Sequence, residues 1–291
     1  MRILVGYDGS SSGAEALALV AGLAWPAASE CRIVVAGKVA FVTDAPGMVA
    51  DAGTLQTIYD AQREDAERLA TAASRRVDRP GLAATWEVGF GQPANTILDV
   101  ADRFGPDLLV VGSRGLGPLT SALLGSVSEE LVDHAPCPIL VARGTDLRRV
   151  VLAEDGSPDA QAASTLLLRW PIFRPSEIRV VSVSEVPVQP ERATEPAASA
   201  GHRVAQEAFA TTDELARTTT ERLVRAGLRA DTSVRQGDPA AEILAAAGDW
   251  SADLIIIGTR GQTGLTRLLH GSVARKVLEH ARCSVLIERR R

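Results

Sequence analysis

The chain is written twice. Asp8-Gly9-Ser10 returns as Asp155-Gly156-Ser157, 147 positions on, and Gly91-Gln92-Pro93-Ala94 returns as Gly237-Asp238-Pro239-Ala240, 146 positions on. The segment Asp107–Arg143 returns as Asp253–Arg289 with 16 identities over 37 positions, where composition alone gives roughly three. A repeat of this period means one structural unit used twice. It divides the 291 residues into domains at 1–146 and 147–291, each long enough to bury its own core. Between them Arg143–Arg149 is a short linker, able to join packed domains but not to separate them widely.

Within each copy short apolar runs alternate with helical patterns. In the first, Ile3–Asp8, Arg32–Phe41, Ala84–Phe90, Leu108–Gly112 and Pro138–Arg143 read as strands. Helical spacing fills 13–25, 56–77, 93–103 and 126–134, with Pro93 where a first-turn proline is tolerated. The second copy repeats this series. Five apolar strands separated by helices predict an α/β fold, a parallel sheet with helices on both faces and right-handed crossovers. Ligands of such sheets bind beyond the carboxyl ends of the strands, where the strand order reverses. The least regular stretch, Val186–Gly201, reads as a mobile loop near that end.

Composition narrows the functional classes. Net charge is −5, which argues against a nucleic-acid partner. No stretch reaches 18 uninterrupted apolar residues, so a spanning helix and a membrane partner are not expected. The opening MRILVGYDGS reads as a strand rather than a signal-peptide core, and the expected compartment is the cytoplasm. Cys31, Cys137 and Cys283 have no CxxC spacing and read as reduced, packed thiols. Residues 1–146 carry −7 and residues 147–291 carry +2, the mark of two differently solvated surfaces or of complementary faces.

The strongest chemical signal is Gly112-x2-Gly115-x9-Gly125-Ser126, repeated as Gly258-x2-Gly261-x9-Gly271-Ser272. Each copy begins at the end of a buried strand, where glycine lets backbone approach a ligand. Each ends by opening a helix, whose free N–H groups attract an anion. The Ser hydroxyl can cap that helix or meet a phosphate oxygen. A tight turn followed by an N-capped helix would use the same residues; two copies at one spacing favour phosphate. The spacing is neither a Walker A loop nor a GxGxxG fingerprint. Asp8 and Asp155 put a carboxylate at the end of each first strand, suited to ribose hydroxyls, to a metal on phosphates, or to an Asx turn.

With GYDGS near the start, the doubled G-x2-G-x9-G-[ST] signature and the closing APCPILVAR, the chain resembles the universal stress protein family in its tandem, ATP-binding form. The resemblance implies two Rossmann-like (adenine nucleotide alpha hydrolase-like) domains with strand order 3-2-1-4-5. It implies ATP, with Mg2+ as a possible companion, as a regulatory ligand in stress response. The nucleoside would meet Asp8, Ala36 and Val111 in the first half and Asp155, Val183 and Ile257 in the second. The phosphates would meet Gly112, Gly115, Gly125, Ser126 and Val127, then Gly258, Gly261, Gly271, Ser272 and Val273. Family members often dimerise through the last strand, so a homodimer of the tandem chain is expected. Two departures stand out: Gly6 and Tyr7 of the first copy become Ala153 and Glu154. Glu154 adds a carboxylate beside a polyanion site, which would weaken binding there.

Other residues carry less. His134 and His280 close equivalent helices, where imidazole complements the last carbonyls. His270 could approach a phosphate, as could Arg114 and Arg260, and His202 is uninformative. Trp25, Trp86, Trp170 and Trp250 read as core or domain packing. No Ser/His/Asp or Cys/His constellation and no general base for hydrolysis is visible, so turnover would be slow. The rival reading, a nucleotide hydrolase or adenylyl-transferring enzyme, lacks the Ser-Gly-Gly loop it needs after the first strand. A third reading is an interaction module with structural sites.

Overall fold

A computed structural model of the chain describes residues 1–37, 52–115, 124–185, 195–259 and 271–289. It consists of two compact units, Met1–Thr145 and Asp146–Arg290.

In the first unit the elements run β1 (Arg2–Tyr7), α1 (Ser11–Gly22), β2 (Ser29–Gly37), α2 (Ala52–Val77), β3 (Leu82–Phe90), α3 (Pro93–Phe104), β4 (Leu108–Gly112), α4 (Ser126–His134) and β5 (Ile139–Ala142). All neighbouring strands pair in parallel, in the order β3-β2-β1-β4-β5. The order reverses at β1, which lies between β2 and β4. Right-handed crossovers that run out to β3 and then back to β4 place α1 and α2 on one face and α3 and α4 on the other. Ile3, Leu4, Val5, Leu109 and Val110 are fully buried, as central strands of a doubly covered parallel sheet must be.

The second unit repeats the plan with β6 (Arg149–Ala153), α5 (Pro158–Arg169), β7 (Glu177–Ser184), α6 (Glu195–Arg225), β8 (Arg229–Gln236), α7 (Pro239–Asp249), β9 (Leu254–Gly258), α8 (Ser272–His280) and β10 (Ser284–Glu288). Its order is β8-β7-β6-β9-β10, again parallel. The short apolar runs thus form strands and the spaced ones helices, in the predicted fold class.

The helix starts follow local chemistry. Ser10 caps α1 by accepting from Gly13 N at 3.1 Å, and Ser157 caps α5 by accepting from Ala160 N at 3.2 Å. Pro93 and Pro239 open α3 and α7, where a missing N–H costs nothing. Two expectations need correction. The stretch 186–201 is not one irregular loop: α6 already begins at Glu195, because Pro196 sits in a first turn and the alanines after it favour helix. Residues 186–194, and residues 38–41 of the expected second strand, lie outside the described residues. Nor are the tryptophans uniformly core: Trp170 is buried, while Trp86 on β3 is 39% exposed.

Candidate functional site

β1, β2 and β4 end side by side, and their ends frame a cavity of about 520 Å3. That volume lies in the range of small-molecule sites, 300–1,000 Å3. Asp8, Ala36, Val111, Gly112, Gly115, Gly125, Ser126 and Val127 all line it. The expected residues of the first half are therefore brought together in one space, although they come from four separate segments. Gly6, Val35, Ile97, Leu69 and Leu131 give it apolar walls.

Asp8 divides its two oxygens between two tasks. Oδ1 accepts the Ser10 N–H at 2.9 Å, an Asx-type turn that sets up the α1 cap. Oδ2 faces the glycine loop, 2.9 Å from where a Cβ on Gly115 would stand. Any side chain at Gly115 would displace this carboxylate. Gly112 is glycine for a stricter reason: a Cβ there would lie 2.6 Å from the Ser12 carbonyl carbon and 2.7 Å from Gly13 N. The loop leaves β4 directly over the start of α1. Ser12 Oγ holds it there by accepting from Arg114 N at 3.2 Å and donating to Arg114 O. The base of the loop closes through Gly125 N to Ser113 O at 2.9 Å.

Ser126 does not cap α4. Gly125 is the cap residue and makes no side-chain cap bond, so Ser126 is the first helical residue, exposed on the cavity wall. Glycine at that cap leaves the first N–H groups of α4 facing the cavity without a side-chain acceptor of its own. The second half agrees, with Gly271 capping α8 and Ser272 exposed.

The family model described as the universal stress protein family matches residues 1–143 and, a second time, 146–289. The chain belongs to the universal stress protein family. A universal stress protein of Mycobacterium tuberculosis (strain ATCC 25618 / H37Rv) is 30% identical over 216 residues, 72% of this chain and 70% of its own length. One from Bacillus subtilis (strain 168) is 32% identical over 145 residues, 49% of this chain and 98% of its own length. The crystal structure of a universal stress protein from Archaeoglobus fulgidus DSM 4304 superposes with a TM-score of 0.69 at 19% identity, across 100% of this chain and 98% of that one. This last likeness is one of fold.

The second universal stress unit builds the same frame from different side chains. Asp155 Oδ1 accepts from Ser157 N at 2.9 Å, as Asp8 does from Ser10. Val183, Ile257, Gly258, Gly271, Ser272 and Val273 lie at the ends of β7 and β9 and the start of α8. Gly261, Arg260 and His270 lie outside the described residues. Where Ser12 clamps the first loop, Asp159 Oδ2 accepts from Thr259 Oγ1 at 2.7 Å, and Gly271 N donates to Thr259 O at 2.6 Å.

Glu154, expected as a carboxylate beside a polyanion site, has both oxygens engaged by hydrogen bonds within the unit. It is 3% exposed and turned into the unit, where Oε1 accepts from Gly156 N at 2.8 Å and Oε2 from Thr219 Oγ1 at 3.0 Å. Burial, above all, pushes its carboxyl up from the usual range.

Sequence reading missed several cavity residues. Tyr7, Pro93 and Ile97 line the wall, and Asp65 stands at the rim, ion-paired with Arg68. Their residue types carry no chemical signature, and only the crossover geometry brings α2 and α3 over the strand ends. Arg114, weighed between phosphate and solvent, does line the cavity. The His134 and His280 Nδ1 atoms lie 2.9 Å from the Glu130 and Lys276 carbonyl oxygens, at the ends of their helices. Among the described residues no three His, Cys, Asp or Glu are grouped to hold a metal ion, and no helix is long and apolar enough to cross a membrane.

Proposed function

We propose that the first unit binds ATP as a regulatory ligand of a stress-response protein, with slow hydrolysis at most. The observation that carries this reading is the single cavity that collects Asp8, Ala36, Val111 and the glycines of the loop around the start of α4. Its inner wall, from Val35 to Ile97, is apolar enough for a nucleobase. In this reading Asp8 Oδ2, which faces the glycine loop, accepts from a ribose hydroxyl. The Gly125-Ser126 helix start offers N–H groups and a hydroxyl to phosphate oxygens. Mg2+ would enter on those phosphates, near Asp8, and would neutralise their charge. Among the described residues that line this cavity there is no histidine or lysine to serve as a general base, which favours a ligand role over rapid turnover in this reading.

The second unit is the weaker binder in this reading. A Cβ at Gly6 would lie 2.9 Å from Ile97 Cδ1 and 3.2 Å from Val111 Cγ1. The second unit carries that carbon, as Ala153, and enlarges Val111 to Ile257. Less room remains for a nucleoside at the equivalent spot. The domains 1–146 and 147–291 would then be one strong and one weak site on a cytoplasmic chain that associates as a homodimer.

Thermal denaturation with and without Mg-ATP tests the reading. Ligand at 100 times its Kd stabilises the folded state by about 2.7 kcal/mol, so millimolar Mg-ATP should raise the melting temperature. Gly115→Val, which would push aside Asp8, should abolish the shift. An unchanged midpoint in the wild-type chain would overturn nucleotide binding, and multiple turnovers per second would overturn the regulatory role.

A further inference from the structure

We propose that the Asp159–Glu288 carboxyl pair of the second unit is a proton-operated latch on the base of the second glycine loop, with no counterpart in the first unit. Glu288 ends β10 with 7% of its surface exposed, and its Oε2 is buried without a hydrogen-bond partner. Asp159, in the first turn of α5, is 6% exposed. The repeat equivalents in the first unit are Ala142 and Ser12, neither of which ionises.

Glu288 pairs with Gly258 across the sheet, and Asp159 packs on that glycine. Asp159 packs against the end of β9 so closely that a Cβ on Gly258 would lie 2.8 Å from Asp159 Cβ. Asp159 Oδ2 holds the Thr259 hydroxyl, and Thr259 O holds the Gly271 N–H that closes the loop. Among the described residues of the second unit, the charged side chains that act on Glu288 are Asp159 and Arg169, both on α5. β9 sets Ile257 and Gly258 opposite the end of β10, and α8 buries Ala274, Val277 and Leu278. Burial first and the Asp159 charge second push the Glu288 carboxyl up to about 7, against the opposing pull of Arg169 and the Arg289 backbone N–H.

Below that value Glu288 keeps its proton and the pair carries one negative charge. Above it the proton leaves to solvent and two carboxylates share a dry site, which is strongly unfavourable. The strain is relieved when one carboxylate turns toward water. If Asp159 turns, the Thr259 bond breaks and the loop base loosens. The first unit, with Ser12 on Arg114, has no such dependence.

Amide hydrogen exchange in the full chain tests this without any ligand. After correction for intrinsic exchange rates, Gly271 N–H protection should fall about tenfold between pH 6 and pH 8. Gly125 N–H, which closes the first loop, should keep constant protection. Glu288→Gln and Glu288→Ala should each make Gly271 as flat as Gly125; the alanine is what the first unit already carries. The carbon-13 shift of the Glu288 carboxyl in the wild-type chain should titrate near pH 7. A carboxyl that titrates like an exposed glutamate, a flat Gly271, or an equal fall at Gly125 each overturns the latch. A responsive Gly271 in a chain that binds no nucleotide would leave the latch standing and remove only the nucleotide reading.

Discussion

Behind Asp8 the first unit places Tyr7, Leu17 and Ala73, all shielded from solvent. At the equivalent positions behind Asp155 the second unit buries Glu154, Ser164 and Thr219. Arg222 donates to Ser164 and sits close enough to favour the charged form of Glu154. An apolar patch has become a hydrogen-bonded polar network, yet the backbone turn in front of it is the same. In both units a glycine with φ near 80° (Gly9 and Gly156) follows the aspartate, which holds the N–H two residues on. The difference teaches which contacts define the fold and which are free to change. Strand pleat, caps and loop base are duplicated; the side chains that fill the space behind them are not.

The largest effects should fall where the two units agree. Gly112→Val and Gly258→Val would each drive a side chain into helix backbone less than 3 Å away. Backbone cannot rotate aside, so each should cost about 3 kcal/mol or more. In calorimetry each unit's transition should drop by roughly 10 °C. A unit that tolerates its valine would show that the crossing of loop and helix is not shared after all.

The next effect belongs to the second unit alone. Glu288 has a folded-state pKa of about 7, above the ordinary carboxylate value of 4.5. A raised carboxyl pKa means the folded state holds the proton more tightly. Its contribution to stability is therefore complete below about pH 4.5 and is lost as pH rises through 7. Glu288→Gln should stabilise the second unit by about 2 kcal/mol at pH 8 and by little at pH 4.5. Urea midpoints at the two pH values measure this. A gain of equal size at both would show that glutamine packs better and that ionisation is irrelevant.

Thr219→Ala, which restores the residue of the first unit at that place, should cost about 1.5 kcal/mol, because the buried Glu154 carboxyl loses a hydrogen-bond partner. In a Glu154→Ala background the same change should cost close to nothing, a coupling of about 1.5 kcal/mol. Equal costs in both backgrounds would mean the threonine acts by packing, as Ala73 does.

Most of this architecture was legible because it rests on period and punctuation. The apolar runs, Pro93 and the strand-end glycines dictate strands, a helix start and a tight turn whatever surrounds them. For Asp8 the sequence left a choice between a ligand group and an Asx turn; Oδ1 makes the Asx turn with Ser10 N, and Oδ2 faces the glycine loop. For Ser126 the sequence left open a cap or a phosphate contact; the glycine before it takes the cap position, and Ser126 is the first helical residue. The partners of Glu154 were not legible: Gly156 N follows it directly, but Thr219 is 65 residues away on α6 and only the fold brings it near. Glu288 gave no signal at all: a glutamate where the first copy has Ala142 looks like surface drift until the strand is seen to be buried.

The smallest effect tests whether the shared caps are equivalent. Ser10→Ala and Ser157→Ala each remove an acceptor from the first turn of a helix, for about 1 kcal/mol apiece. The two lie in different units, so the double variant should show the sum. Ser10 Oγ also lies 3.3 Å from Arg114 O, a tie to the glycine loop. Ser12 holds the same residue by both its N–H and its carbonyl, so losing Ser10 should leave the loop entry in place and the two costs nearly equal. If Ser10→Ala instead costs clearly more than Ser157→Ala in urea denaturation, the first loop is anchored through the cap itself. The Ser12 clamp would then be the lesser contact.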